Sequence, residues 1–166
     1  MSTVLLANLI KIRWIAIVGQ LITLLTIFFV FDFAIPLPEC LFVVLLSIFV
    51  NFFSYFIQRG NSTLTDKKTF FFLVFDISQL VGLLFLTGGV FNPFVVLIIA
   101  PIIISASYLS AFSTILLSLY SIVLILIVNF NYIPLNWEKD FITPSLYNIG
   151  ILVALIITIV FLAIYA

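Results

Sequence analysis

The sequence predicts an all-α polytopic membrane protein, a bundle of six transmembrane helices with both chain ends on the cytoplasmic side. Three observations lead there. Hydrophobic residues make up 66% of the 166 positions and charged residues only 7%, with a mean hydropathy of +1.48. Six basic and six acidic side chains are too few to cover a soluble domain of this size. The apolar residues fall into six runs of roughly 16 to 21 residues, close to the ~20 that let a helix cross a bilayer. Finally, the basic residues collect in alternate loops, as the positive-inside rule requires. Residues 1–166 are expected to form one domain.

The runs are Trp14 to Phe31, Cys40 to Ile57, Phe70 to Thr87, Phe94 to Leu109, Phe112 to Phe130 and Leu146 to Ala166. Turn chemistry separates them: Pro36 and Pro38, Gly60-Asn61-Ser62, Gly88-Gly89 with Asn92-Pro93, then Pro134 and Pro144. The first run follows Lys11 and Arg13, as a signal peptide would. It is too long for one and lacks a small-x-small cleavage site, so it reads as a spanning helix.

Lys11 and Arg13 precede the first span, and Arg59, Lys67 and Lys68 lie between the second and third, which places both segments in the cytoplasm. The Asp32–Glu39 loop has acids and no base, and Glu138, Lys139 and Asp140 carry one base among two acids. Those loops and Gly88 to Phe94 fall outside. Thr65 and Asp66 can cap the third helix, and Trp14, Tyr132, Trp137 and Tyr147 lie near the expected interfaces. The chain stops at Ala166 within an apolar run, the pattern expected of a fragment that continues into the cytoplasm.

The sequence contains no histidine and one cysteine, Cys40. Within these residues that excludes a phosphoryl-accepting His, His-based acid/base catalysis, an intrachain disulfide and ordinary zinc sites. No stretch resembles a nucleotide-binding loop or a hydrolytic triad, no metal site is expected, and a net charge of zero gives no basic patch for nucleic acid. As given, the chain is expected not to be an enzyme.

Four features could carry chemistry. Asp76 is the one ionisable residue well inside a span, about 9 Å past Phe70 at 1.5 Å per residue, and Gln79 shares its face. They form either a polar switch or a hydrogen-bonded pair that fixes helix packing, with Gln20 or Arg13 of the first helix within reach. Gly88-Gly89-Val90-Phe91-Asn92-Pro93-Phe94 is either a tight interhelical turn or a ligand site, with backbone N–H groups and the Asn92 amide as donors and Phe91 and Phe94 as aromatic faces. Such a combination suits a flat, neutral quinone head with two carbonyl acceptors. Pro101, inside the fourth run, permits a kink. Ser78 and Gly82 form a small-xxx-small pair suited to close helix packing. Cys40 is expected to be an inert small hydrophobe, since nothing nearby would activate a thiol.

Several of these segments together resemble one family. Arg13-Trp14-Ile15-Ala16-Ile17-Val18-Gly19-Gln20 looks like the RW-x-A-x-x-GQ opening of the RegB/PrrB/ActS redox-sensing histidine kinases. Phe75-Asp76-Ile77-Ser78-Gln79-Leu80 is similar to their FD-x-x-QL segment, and Gly88 to Phe94 matches their GG-x-x-NPF signature at every defined position. Ala100-Pro101 followed by Ile104-Ser105-Ala106 resembles the helix that comes next. Order and spacing agree from about Lys11 to Leu109; the last two spans agree only in hydrophobicity.

The resemblance implies a six-span sensor domain in a bacterial inner membrane, the input of a two-component system. It implies ubiquinone or a related quinone as ligand, at Gly88, Gly89, Asn92, Pro93 and Phe94 with Phe91 beside them, and control by the quinone pool of autophosphorylation in a cytoplasmic kinase part. A homodimer and a response regulator are the implied partners, besides the lipid bilayer. A small transporter or channel component, or a structural membrane scaffold, is the alternative. A liposome flux assay would separate the first of these from a sensor.

Overall fold

The computed structural model describes residues 6–57, 66–135, 149–151 and 153–154. Its regular elements are all helical: α1 (Leu6–Phe29), α2 (Leu37–Ile57), α3 (Asp66–Leu86), two short 3-10 helices (Gly89–Phe91 and Pro93–Ile98), α4 (Ile99–Tyr108) and α5 (Ala111–Phe130). Four of them, α1, α2, α3 and α5, are long and apolar enough to cross a membrane. The sixth expected span lies almost wholly outside the described residues, as do Arg59, Thr65, Trp137, Glu138, Lys139, Asp140 and Tyr147. Residues 149–151 and 153–154 of that region are helical.

Each span ends where backbone chemistry requires. α1 begins at Leu6, eight residues before the expected Trp14, because Lys11 and Arg13 interrupt hydropathy without interrupting the backbone. Its exit passes through Asp32, the one described non-glycine residue with positive φ (58°). α2 opens on Leu37-Pro38, where the missing proline N–H falls in a first turn that has no intrahelical acceptor. α5 follows α4 after two residues, capped by the Ser110 hydroxyl, which accepts from the Ser113 N–H at 3.3 Å. So short a link folds α5 back along α4.

The fourth span departs from a plain α-helix. Residues Pro93–Ile98 are 3-10 and only Ile99–Tyr108 are α. At ~2.0 Å per residue in the 3-10 part and ~1.5 Å in the α part, these sixteen residues reach about 27 Å. A purely α-helical stretch of that length would reach about 24 Å. Pro101 stands in the first turn of α4, so it lies where the helix changes type rather than in mid-helix.

α3 is the hub. It packs against α2, α4, α5 and both 3-10 helices, while α1 packs chiefly on α2. Leu73, Ile77, Val81 and Leu84 of α3 form one apolar cluster with Ile98, Ile104, Leu117 and Val128. A second cluster joins Ile17, Leu24, Ile35, Cys40, Val44 and Leu83. Cys40 is fully buried there, as a small apolar residue would be.

Burial is inverted relative to a soluble protein. Phe42, Phe49, Phe52, Phe53, Phe56, Phe71 and Phe112 point outward, while Ser47, Asn51, Ser54, Thr69, Ser105 and Ser121 are buried. Where the outer solvent is hydrocarbon, large apolar side chains gain nothing by turning inward, and small or hydrogen-bonding residues make the helix contacts. Asn51 Nδ2 donates to the Ile10 carbonyl (3.1 Å), joining α2 to α1. The Ser78 and Tyr120 hydroxyls lie 2.7 Å apart, joining α3 to α5.

Ser78 and Gly82 do not act as one close-packing pair. Ser78 faces α5, whereas a Cβ on Gly82 would sit 3.8 Å from Val43 of α2, an ordinary contact. Gly88 and Gly89, by contrast, have φ of 101° and 63°. A Cβ on Gly89 would come within 2.7 Å of the Tyr132 ring. Gly89→Ala is therefore expected to destabilise the domain by at least the ~1–2 kcal/mol of a left-handed non-glycine residue, whereas Gly82→Ala should be neutral or slightly stabilising. Detergent-titrated unfolding followed by circular dichroism would check both; equal behaviour of the two variants would contradict the packing described.

Candidate functional site

The end of α3 is built to stop. After Leu86 the chain takes two positive-φ residues, Gly88 and Gly89, and the Gly88 N–H turns to donate to the Ile133 carbonyl (3.1 Å). The Ile133 N–H donates in turn to the Phe85 carbonyl (2.8 Å), so the segment after α5 pairs with the end of α3. Tyr132 covers Gly89 and lies 5.8 Å from the Phe91 ring, centroid to centroid, with Phe91 otherwise exposed.

Asn92 closes the turn. Its Oδ1 accepts from the Phe94 N–H (2.9 Å), and its Nδ2 donates to both the Thr87 carbonyl (3.0 Å) and the Thr87 hydroxyl (2.8 Å). Thr87 Oγ1 donates onward to the Leu83 carbonyl (2.7 Å). The Asn92 amide, expected as a ligand donor, is thus fully engaged in capping the Pro93–Ile98 helix. Thr87 was not singled out in the sequence; the signal available was a hydroxyl one residue before the glycine pair.

Midway along α3 (Asp66–Leu86) stands a pair of polar bridges to α1. Arg13 Nη2 and Nε lie 2.7 Å and 2.8 Å from Asp76 Oδ1, and Nη2 also donates to the Phe72 carbonyl (3.0 Å). The guanidinium lies over the Phe72 and Phe75 rings, 4.7 Å and 5.6 Å from their centroids, a cation–π arrangement. Gln20 and Gln79 exchange two amide hydrogen bonds: Gln20 Nε2 to Gln79 Oε1 at 3.1 Å, and Gln79 Nε2 to Gln20 Oε1 at 2.9 Å. Both partners anticipated for Asp76 and Gln79 are therefore used, one each.

These two regions line one groove. A cavity of about 440 Å³ lies between α1, α3 and the Pro93–Tyr108 segment, a size within the ordinary range of small-molecule sites, roughly 300–1,000 Å³. Arg13, Ala16, Gly19 and Gln20 line it from α1; Asp76, Gln79, Leu80 and Thr87 from α3 and its end; Asn92 and Phe94 from the turn; Ala100, Pro101 and Ile104 from α4. Ile12, Ile15, Leu24, Ile27, Leu73, Leu83, Leu84 and Leu97 supply the apolar remainder. Gly88, Gly89, Phe91 and Pro93 do not line it; they shape the turn that carries Asn92 and Phe94. Gly19 has open space where a side chain would be, and helical spacing puts it on one face with Ala16 and Gln20.

The chain is similar to the sensor histidine kinase RegB of Cereibacter sphaeroides, with 33% identity over 163 residues, which is 97% of this chain. The chain spans about a third (35%) of that relative's length. No protein-family model matches the chain, and no solved structure does.

The ion pair makes a testable demand. Removing one partner of a buried pair leaves an uncompensated charge and costs ~3–5 kcal/mol, whereas replacing both by apolar residues is often near neutral. Arg13→Met and Asp76→Leu should each destabilise strongly, and the double variant should recover most of the loss. Additive losses in a double-mutant cycle of unfolding free energies would show that the two side chains do not interact.

Proposed function

We propose that this chain, which belongs by sequence with the membrane sensor domains of RegB-like kinases, is the signal-input domain of a redox-sensing histidine kinase and binds a quinone in the groove between α1, α3 and α4. The observation that carries this reading is convergence. All four separated segments that resemble the family contribute side chains to that one groove. A site with long apolar walls and a few convergent polar groups suits a flat head with a hydrocarbon tail.

In this reading six spans cross a bacterial inner membrane with both ends in the cytoplasm. The groove then runs across the membrane, with Arg13 and Asp76 on the cytoplasmic half and Asn92 and Phe94 towards the outside. Its tail can reach lipid while its head stays among the polar groups. The kinase part, its autophosphorylation, a homodimeric assembly and a response regulator belong to the longer protein that the relative's length suggests. Gly150 supports a route outward from the site: a Cβ there would come within 2.9 Å of Pro93, so the expected sixth span leans at this residue on the turn that carries Asn92 and Phe94.

A ligand changes the output only by the difference between its affinities for the kinase-on and kinase-off arrangements. About 1.4 kcal/mol of differential binding shifts the balance tenfold, and near-complete switching takes about 5.5 kcal/mol. The test is titration of the purified domain with ubiquinone, monitored by intrinsic fluorescence. Phe94→Ala should weaken binding by about tenfold, since the partly buried ring lines the groove and its truncation removes apolar area from the ligand's reach. Asn92→Ala should weaken it through the turn. Wild-type affinity in both variants would remove this end of the groove from the site.

A further inference from the structure

The groove has two polar ends, and they differ in what they can offer a ligand. At the Asn92 end the polar atoms are engaged: both Nδ2 donors go to Thr87, Oδ1 caps Phe94, and the Thr87 hydroxyl is used twice. At the Asp76 end they are not. An amide carries two N–H donors, and the reciprocal Gln20–Gln79 pair takes one from each. Among the described residues, neither second N–H has a partner. The Asp76 side chain remains 27% exposed, and its Oδ2 receives only one long bond from Arg13, at 3.1 Å. All three groups line the groove within one turn of α3 and the facing turn of α1.

We infer that the ligand's head is read at this end, by the Gln20 and Gln79 amides and the Asp76 carboxylate, and that Asp76 distinguishes a reduced from an oxidised head. This rests on the quinone reading above and places the redox discrimination away from the Gly88–Phe94 turn. The chemistry follows from the inventory of donors and acceptors. A quinone carbonyl only accepts, and the spare amide N–H groups donate to it. A quinol hydroxyl also donates, and a carboxylate is the acceptor it needs. Two carbonyls and two hydroxyls of similar shape would be hard to tell apart by packing alone. The amide pair serves both states, whereas the carboxylate bonds only the reduced one. The Phe94 and Leu97 end then holds the tail side of the ligand.

Gly19 supplies the direct test, because it lines the groove and a Cβ built there meets no protein atom within 4 Å. Wild type, Gly19→Leu, Gln20→Leu/Gln79→Leu and Asp76→Asn are titrated separately with ubiquinone and with chemically reduced ubiquinol, in lipid nanodiscs under anaerobic conditions. Gly19→Leu should unfold like wild type and lose affinity for both forms by at least tenfold. The double glutamine variant should bind ubiquinone about tenfold more weakly. Asp76→Asn keeps an acceptor oxygen but loses the charge, so it should weaken ubiquinol about fivefold, the difference between a hydrogen bond to a charged and to a neutral acceptor, and should not weaken ubiquinone. Should Asp76→Asn fail to fold, the double variant Arg13→Met/Asp76→Leu takes its place, and an unchanged ratio of ubiquinol to ubiquinone affinity in it would overturn the role of Asp76. Wild-type binding retained in Gly19→Leu and in the glutamine variant would overturn this placement while leaving the quinone reading intact. If wild type binds neither form, both fall. If Gly19→Leu instead alters self-association with ligand binding unchanged, the groove seats a second copy of the chain and the placement is wrong.

Discussion

A polar group carried into hydrocarbon is costly unless it finds a partner within the protein. That constraint organises this domain around α3. Along its length α3 sends Asp76 to Arg13 and Gln79 to Gln20, and joins Ser78 to Tyr120. Thr87, just past its end, receives the Asn92 amide. Each link reaches a different neighbouring segment or a different level of the same one. Apolar packing alone would hold these helices weakly, since lipid tails compete equally well for leucine and phenylalanine. The polar links specify which face of α1 meets α3 and where along the helix it meets it.

The links differ in reach. α1 packs closely on α2, while its approach to α3 is bridged by arginine and glutamine, among the longest side chains available. The groove exists because those bridges hold α1 off the face of α3, and Ala16 and Gly19 leave the intervening space unfilled. On the opposite wall the 3-10 geometry of Pro93–Ile98 lengthens a short segment and sets α4 beyond it. A proline at position 101, in the first turn of α4, costs little there because the N–H it lacks falls near the change of helix type.

Much of this was legible from the residues. The four helices long enough to cross a membrane and the shorter Pro93–Tyr108 segment fall within a few residues of the apolar runs, except that α1 extends through Lys11 and Arg13, because a hydropathy window stops at charges and a helix does not. Arg13 and Gln20 were visible as partners because an intramembrane acid demands one and only a few polar residues were within reach. Three things were not legible. The 3-10 character of Pro93–Ile98 depends on Asn92 capping Phe94 and on tertiary packing that no local propensity encodes. The engagement of the Asn92 amide by Thr87 requires knowing that the glycine turn brings the two together. The groove itself is a property of spacing between helices, and its clearest marker, Gly19, looks in sequence like any small residue in a membrane helix.

The arrangement also bounds what a redox signal could achieve here. Reduction of a quinone changes two acceptors into two hydroxyls and alters shape very little, so the energy available for discrimination is that of one or two hydrogen bonds. A bond to a charged acceptor is worth ~1.5–3 kcal/mol, which falls within the ~1–3 kcal/mol typical of coupling between sites. It falls short of the ~5.5 kcal/mol that would carry a two-state equilibrium from one extreme to the other. A domain reading the quinone pool through Asp76 alone would therefore give a graded response, shifting the kinase balance by about tenfold to somewhat over a hundredfold. Sharper switching would need the same event to move α1 against α3, so that the Arg13 bridge and the ligand contact change together. A ligand bond to the Asp76 carboxylate would draw on the same oxygens that bridge α3 to Arg13 of α1, which is the route by which the two could be coupled.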